Sequence, residues 1–218
     1  MDILHLLMDK IKNGDRDGGF TIIEEWKNEH PQEDVSLVLL EPFLLKVGIL
    51  WQSGQISLAQ SYTATKIVED VVDRLIERRA DDANNKGTVV IGNVEEDFHG
   101  LGRRMVSSFL KANNWEVRNL GNDVAAEDFV DAAVEAGAHV IAVSAMMYTT
   151  AQNIIKIRHV IDERELGSKI KLAVGGAVFR LRPELVSEVG GDGTAISAME
   201  APKLIESLWS LAERGEWQ

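Results

Sequence analysis

The chain has no cysteine among its 218 residues. That excludes disulfides, zinc knuckles and thiolate-held iron–sulfur clusters, and leaves metal binding to His, carboxylates or a prosthetic group. Histidine is also scarce, the whole set being His5, His30, His99, His139 and His159. Positive charge is in short supply, because 23 Lys and Arg against 35 Asp and Glu leave a formal net charge of -12. An acidic chain without a basic stripe repels phosphate backbones, so nucleic acid is not an expected partner. No apolar run approaches the roughly 18 to 20 residues that cross a bilayer. The first residues, Met1-Asp2-Ile3-Leu4-His5, lack the basic flank and cleavage site of a signal peptide, so no membrane association and a cytoplasmic location are expected. What is present is ordinary: a hydrophobic fraction of 45% and a charged fraction of 27% suit a folded globular chain and argue against disorder or a fibre.

The pattern of apolar residues divides the chain in two. Up to about residue 82, apolar positions recur at helical spacing, as in Ile3, Leu6, Leu7 and Ile11, then Phe20, Ile22, Ile23 and Trp26. A third helix is expected over 35–51 and a fourth over 57–79, the latter starting at a Ser cap and carrying Ile67, Val68, Val71, Val72 and Leu75. These make a small four-helix bundle. From Thr88 short β-branched runs alternate with amphipathic stretches. Strands are expected over 88–91, 115–119, 139–143 and 170–174, with a weaker fifth near 193–195. Helices are expected between and after them, over 102–112, 125–136, 151–164, 183–189 and 198–214. The Asp- and Asn-rich segment 81–87 reads as a linker, giving domains 1–82 and 83–218. The alternation predicts a doubly wound α/β fold with a parallel five-stranded sheet, in which ligands bind beyond the carboxyl ends of the strands.

Those ends carry the chemistry. The first strand runs into Asp97-Phe98-His99-Gly100-Leu101-Gly102. A neutral His ligates a metal through one ring nitrogen while a nearby carboxylate accepts the proton on the other, and Asp97 has that relationship to His99. Taken alone, the pair reads first as a surface loop histidine beside a helix N-cap. Gly100 and Gly102 would let the backbone approach a bulky planar ligand. The third strand ends in Ser144-Ala145-Met146-Met147-Tyr148-Thr149-Thr150, and the fourth in the glycine pair Gly175-Gly176, which leaves a slot against the backbone.

In these residues the second half resembles the cobalamin-binding domain shared by methionine synthase, the methylmalonyl-CoA and glutamate mutases and the small corrinoid methyl-carrier proteins. The family pattern D-x-H-x-x-G, S-x-L, G-G is matched by Asp97/His99/Gly102, Ser144/Met146 and Gly175/Gly176, with Met in place of Leu. The resemblance covers roughly residues 86–218 and implies a flavodoxin-like, Rossmann-like sheet holding cobalamin base-off and His-on. His99 would then be the cobalt's lower ligand, with Asp97 orienting it and Thr150 as a further hydroxyl partner. Ser144, Gly175 and Gly176 would line the slot for the cofactor's nucleotide tail, with Gly193 and Thr194 near its end and Phe98 in the ligand loop. The helical half is similar, less closely, to the cap of methionine synthase, the corrinoid carriers and the cobalamin-dependent photoreceptors. The similarity runs through Trp51 and the stretch to Tyr62, though Gln52, Ser61 and Tyr62 replace photoreceptor residues, including the upper axial His. Trp51 and Tyr62 would cover the upper face of the cofactor, or Trp51 would simply be core.

The resemblance implies a corrinoid methyl carrier, a non-catalytic subunit that accepts a methyl group from one partner methyltransferase and presents it to another. Methylcobalamin is the expected form, with adenosylcobalamin the other candidate. A cobalamin-dependent sensor is the alternative, a mutase subunit a third, and a flavodoxin-like module without cobalamin the bland reading. Self-association is left open.

Overall fold

The structure, a computed structural model, describes residues 2–31, 35–77 and 85–215. The chain divides into two compact units, Met1–Ala80 and Asp81–Gln218. The expected domain boundary at 82/83, most of the expected linker and the end of the fourth expected helix lie outside the described residues.

The first unit is helical. Helix α1 (Ile3–Lys12) starts at Asp2, whose carboxylate accepts the N–H of Leu4, and α2 (Arg16–Glu29) starts at Asp15, which accepts from Gly18. The expected single helix over 35–51 is present as one helical run, of which Ser36–Leu40 is π-helical and passes without a gap into α3 (Glu41–Gln52). Pro42 accounts for the local change of winding, since it has no N–H for the α-helical ladder. Helix α4 (Leu58–Glu77) packs on the other three. Its Ile67, fully buried, fills the space left by Gly19 of α2, where a Cβ would come within 2.5 Å of the Ile67 side chain.

The second unit is a doubly wound sheet. In chain order it runs β1 (Thr88–Val94), α5 (Leu101–Ala112), β2 (Glu116–Val124), α6 (Ala126–Ala136), β3 (Val140–Ser144), α7 (Tyr148–Ala151) and α8 (Ile154–Glu163). There follow β4 (Lys171–Gly175), α9 (Ala177–Leu181), α10 (Leu185–Glu188), β5 (Gly193–Thr194) and α11 (Ala201–Arg214). All pairings are parallel, in the order β2-β1-β3-β4-β5. Strands β1, β3 and β4 are buried on both sides, which is why they read as near-continuous apolar runs, whereas the edge strand β2 is mostly polar and partly exposed. On one face Val90, Ile141, Leu172 and Val174 pack with Phe129 of α6 and Ile154, Ile157 and Ile161 of α8. On the other, Val89, Ile91 and Ala142 pack with Leu110 of α5 and Ile205 and Leu208 of α11. Gly87, at φ +136°, lies flat against the Trp209 ring of α11, which a Cβ there would approach to 2.3 Å.

Several boundaries differ from expectation, and β1 itself runs past the expected 88–91 to Val94. The expected strand 115–119 continues as β2 to Val124, because left-handed backbone at Gly121 and Asp123 lets it shift register against β1 and keep pairing. The expected helix over 151–164 is broken into α7 and α8 around Gln152 and Asn153. A short α9 follows directly on the Gly176 turn.

Sheet order places the functional end. Strands β1 and β3 are neighbours although β2 lies between them in sequence, so their outgoing chains part to opposite faces. This reversal point is where such sheets open a crevice for a ligand.

Candidate functional site

The loop after β1 enters that crevice. Asp97 has no solvent exposure, yet its carboxylate is fully engaged. Oδ1 accepts from Asn93 Nδ2 at 3.0 Å and the His99 N–H at 2.9 Å, and Oδ2 accepts from the Met146 N–H at 2.6 Å and the Thr150 hydroxyl at 2.9 Å. Burial alone would raise the Asp97 pKa, but the bonds from Met146, His99, Thr150 and Asn93 outweigh it and hold the carboxyl below its ordinary value. Asp97 is therefore an anion inside the protein, tying the loop after β1 to the start of the segment after β3.

The His99 side chain is 52% exposed, and its Nδ1 lies 3.4 Å from Asp97 Oδ1. Among the described residues Nε2 has no hydrogen-bond partner. Phe98 beside it is exposed, and its carbonyl accepts from Asn122 Nδ2 at 3.4 Å. The structure thus brings Asp97, His99, Met146 and Thr150 together. Met146 contributes its backbone N–H, while its side chain is exposed.

Ser144 stands in register with Asn93 on one side and Gly175 on the other. Gly176 has φ +119°, and a Cβ there would fall 2.0 Å from the Ala145 carbonyl oxygen, so only glycine lets β4 leave the sheet this close to β3. A Cβ on Gly175 would meet nothing within 4 Å, and the same holds for Gly102. Gly100 differs, because a Cβ there would approach Asn122 Oδ1 to 2.7 Å and Arg103 Nη2 to 3.0 Å, so its smallness serves packing. Gly193 also serves packing, against Leu204. With Thr194 it forms β5, paired to Ala173 and Val174 beyond the Ser144/Gly175 pair. Trp51 and Tyr62 belong to the helical unit and are exposed, so Trp51 is not core.

Sequence reasoning missed a polar brace behind the loop. Arg103, in the first turn of α5 and only 7% exposed, donates from Nε to Asn93 Oδ1 at 2.7 Å, from Nη2 to Asn122 Oδ1 at 3.0 Å, and from Nη1 to Asn119. Asp123 Oδ1 accepts the Glu96 N–H at 2.8 Å, and Asn153 Nδ2 donates to the Glu95 carbonyl at 3.1 Å. Little in the sequence warned of it, because Asn93 lies beyond the expected strand 88–91 and is buried only because β1 runs on to Val94.

Donor chemistry tests whether these residues suit a corrinoid. Among the described residues no three His or acidic side chains converge as a metal-holding group. A corrinoid suits a lone imidazole of this kind, because its macrocycle brings the metal's other ligands with it. One half-exposed imidazole with a partnerless Nε2, an ionised Asp97 behind Nδ1, and open space beside Gly175 in the strand-end crevice fit such a group.

A family model described as the B12 binding domain matches residues 87–203, from the entry to β1 into α11. The dimethylamine corrinoid protein 3 of Methanosarcina acetivorans is 30% identical, with 91% of this chain and 93% of that protein covered. The structure of the Methanosarcina barkeri monomethylamine corrinoid protein has a TM-score of 0.73 at 26% identity, covering 94% of this chain and 98% of that one. A chain of the methanol:cobalamin methyltransferase complex from the same organism shares the fold, with a TM-score of 0.53 at 23% identity over 99% of this chain and 85% of that one. No helix among the described residues is long and apolar enough to cross a membrane. The fold, the strand-end site and these matches agree: the chain belongs to the B12-binding family, and its cofactor is a cobalamin-type corrinoid.

Proposed function

We propose that this protein is a methyl carrier, holding its corrinoid base-off with His99 Nε2 as the lower ligand of the cobalt, and passing methyl groups between partner methyltransferases. One observation carries the reading: a buried, ionised Asp97 faces Nδ1 of a half-exposed His99 whose other nitrogen has no partner among the described residues. When bound, the corrinoid supplies the centre that accepts and releases the methyl group.

The chain's own residues do the rest. Asp97, whose Oδ1 lies 3.4 Å from Nδ1, would accept that nitrogen's proton in the bound state, fixing the tautomer that leaves Nε2 free to donate to the metal. Thr150 and the Met146 N–H hold Asp97 in place. Ser144 and Gly175, at adjacent strand ends, would line the slot for the nucleotide tail, with open space beside Gly175, while Gly176 lets the chain after β4 pass close to β3. Phe98 and Met146 present exposed apolar side chains beside the loop, suited to a macrocycle's face. For Trp51 and Tyr62 the support is their exposure on the helical unit, which leaves both rings available to the cofactor.

The carrier reading is favoured over a sensor by the relatives, which are methylamine corrinoid proteins matched over nearly their full length. Partner methyltransferases are the donors and acceptors that such a carrier would serve, and a chain of a methanol:cobalamin methyltransferase complex has the same fold.

The test is the electron paramagnetic resonance spectrum of the Co(II) form after reconstitution with cobalamin. Protein labelled with 15N-histidine should show a superhyperfine doublet in place of the 14N triplet that the cofactor's own base would give, and His99→Ala should lose the doublet. A triplet that 15N-histidine leaves unchanged rules His99 out. Methyl transfer to and from the reconstituted protein by a corrinoid methyltransferase checks the carrier role.

A further inference from the structure

Arg103 is a cation in a place that disfavours one. It sits in the first turn of α5, where the helix dipole already presents positive charge, and Arg104 follows it. It is buried, and among the described residues no carboxylate pairs with it. All three contacts of its guanidinium are to neutral amide oxygens, those of Asn93, Asn119 and Asn122. Burial, with repulsion from Arg104, lowers its pKa from the ordinary arginine value, although an arginine keeps its charge at neutral pH. A hydrocarbon side chain would fill the same volume without this penalty, so packing does not account for it.

What the arrangement does is connect. Arg103 Nε donates to Asn93 Oδ1 at 2.7 Å, Asn93 Nδ2 donates to Asp97 Oδ1 at 3.0 Å, and that oxygen lies 3.4 Å from His99 Nδ1. Asn93 is fully buried, so the chain runs through a medium that screens charge poorly. Asn93 Nδ2 also reaches the His99 carbonyl at 3.2 Å. The uncompensated charge therefore bears on the one carboxylate that faces the ligand imidazole.

Resting on the reading of His99 as the lower ligand, we propose that Arg103 is a positioning residue whose buried charge, relayed through Asn93 and Asp97, weakens the donation of His99 to cobalt. The cation draws negative charge on Asp97 toward Asn93 and away from the Nδ1 proton. Imidazole then keeps that proton more tightly and is a poorer donor through Nε2. A weaker lower ligand favours the reduced, ligand-poor state of the metal, the state a methyl carrier must reach to accept a methyl cation. Arg103 thus raises the Co(II)/Co(I) midpoint potential.

The experiment compares full-length protein reconstituted with hydroxocobalamin in five forms: wild type, Arg103→Lys, Arg103→Gln, Asn119→Asp and His99→Ala. The Asn119→Asp change keeps an acceptor for Arg103 and for the Gly121 N–H, while placing a counter-charge against the guanidinium and leaving the Asn93–Asp97 link untouched. It serves if Arg103→Gln fails to fold. Spectroelectrochemistry should give a lower midpoint potential in Arg103→Gln and in Asn119→Asp, with Arg103→Lys restored toward wild type and single-nitrogen splitting retained in all three. Midpoints equal to wild type in Arg103→Gln and Asn119→Asp overturn the proposal, as does an Arg103→Lys shift as large as that of Arg103→Gln. A nitrogen triplet that 15N-histidine labelling of the wild type leaves unchanged overturns the reading beneath it, an outcome distinct from an unmoved potential.

Discussion

Asp97 Oδ2 accepts the backbone N–H of Met146 at 2.6 Å, a bond between the loops that follow two adjacent strands and lie 49 residues apart in the chain. The sheet ladder has ended at Ser144, so this side chain takes over from backbone pairing at the point where the crevice opens. It makes the loop carrying His99 and the segment carrying Thr150 a single piece.

Replacing Asp97 by Ala should therefore weaken the fold before any cofactor is considered. The donors from Met146, His99, Thr150 and Asn93 would lose their acceptor in a buried place. A loss of about 3 kcal/mol or more is expected, since each unsatisfied buried group costs ~1–3 kcal/mol. Urea denaturation of the apoprotein measures it. An unchanged midpoint would mean that the carboxylate does not hold these loops together.

Gly175 and Gly176 should behave oppositely although they are neighbours. Ala at Gly176 must adopt φ +119° with a Cβ 2.0 Å from the Ala145 oxygen, so a loss of more than about 2 kcal/mol in stability is expected. Ala at Gly175 meets nothing within 4 Å, so the apoprotein should melt as wild type does. If the nucleotide tail occupies that slot, Gly175→Ala will instead bind cobalamin at least about tenfold more weakly, equivalent to ~1.4 kcal/mol. Titration of both apoproteins with hydroxocobalamin separates the two effects.

Arg158 of α8 should matter to the far edge of the sheet. It donates to the Gly190 carbonyl at 2.8 Å and to Asp192 Oδ2 at 2.6 Å, and that same oxygen accepts the Leu172 N–H at 2.6 Å. With β5 only two residues long, these contacts hold the edge in place of a ladder. Arg158→Ala should destabilise by about 2 kcal/mol, the scale of hydrogen bonds to charged groups. Hydrogen exchange should show the loss first at Thr194 and Leu172.

Cofactor binding should stabilise the protein by mass action. At free cobalamin one hundred times its Kd, the gain is about 2.7 kcal/mol for a single site. Thermal melts with and without hydroxocobalamin measure it. Under the same ligand concentration the gain should shrink in His99→Ala.

The strands and the Asp97/His99 pair were legible because both depend on local pattern: apolar runs that suit a doubly buried sheet, and polar residues at the ends of those runs. What was not legible depends on backbone that no residue type announces. The expected second strand stopped at Asn119, but left-handed conformations at Gly121 and Asp123 carry β2 onward and bring Asn122 and Asp123 against the ligand loop. Arg103 reads in sequence as a solvated charge on a helix, and becomes buried only because that extension covers it. The helix expected over 35–51 is there, and its π-helical stretch before Pro42 has a cause visible in the sequence, since a missing N–H disturbs the ladder through it. Trp51, expected as cofactor cover or as core, is exposed, which its apolar neighbours do not reveal.

The flat contact between Gly87 and Trp209 joins the entrance of β1 to the last helix of the sheet unit, and Lys86 reinforces it with a 3.0 Å ion pair to Glu206. During synthesis β1 emerges long before α11, so the strand that leads to His99 stays without its final support until more than one hundred further residues have followed, the separation of Lys86 from Glu206 being 120. The near end of β1 is therefore braced last, although the bonds to Asp97 that hold the His99 loop reach only as far along the chain as Thr150. A polypeptide cut before α11 should keep the pieces of the ligand loop but lose the brace at the strand's entrance.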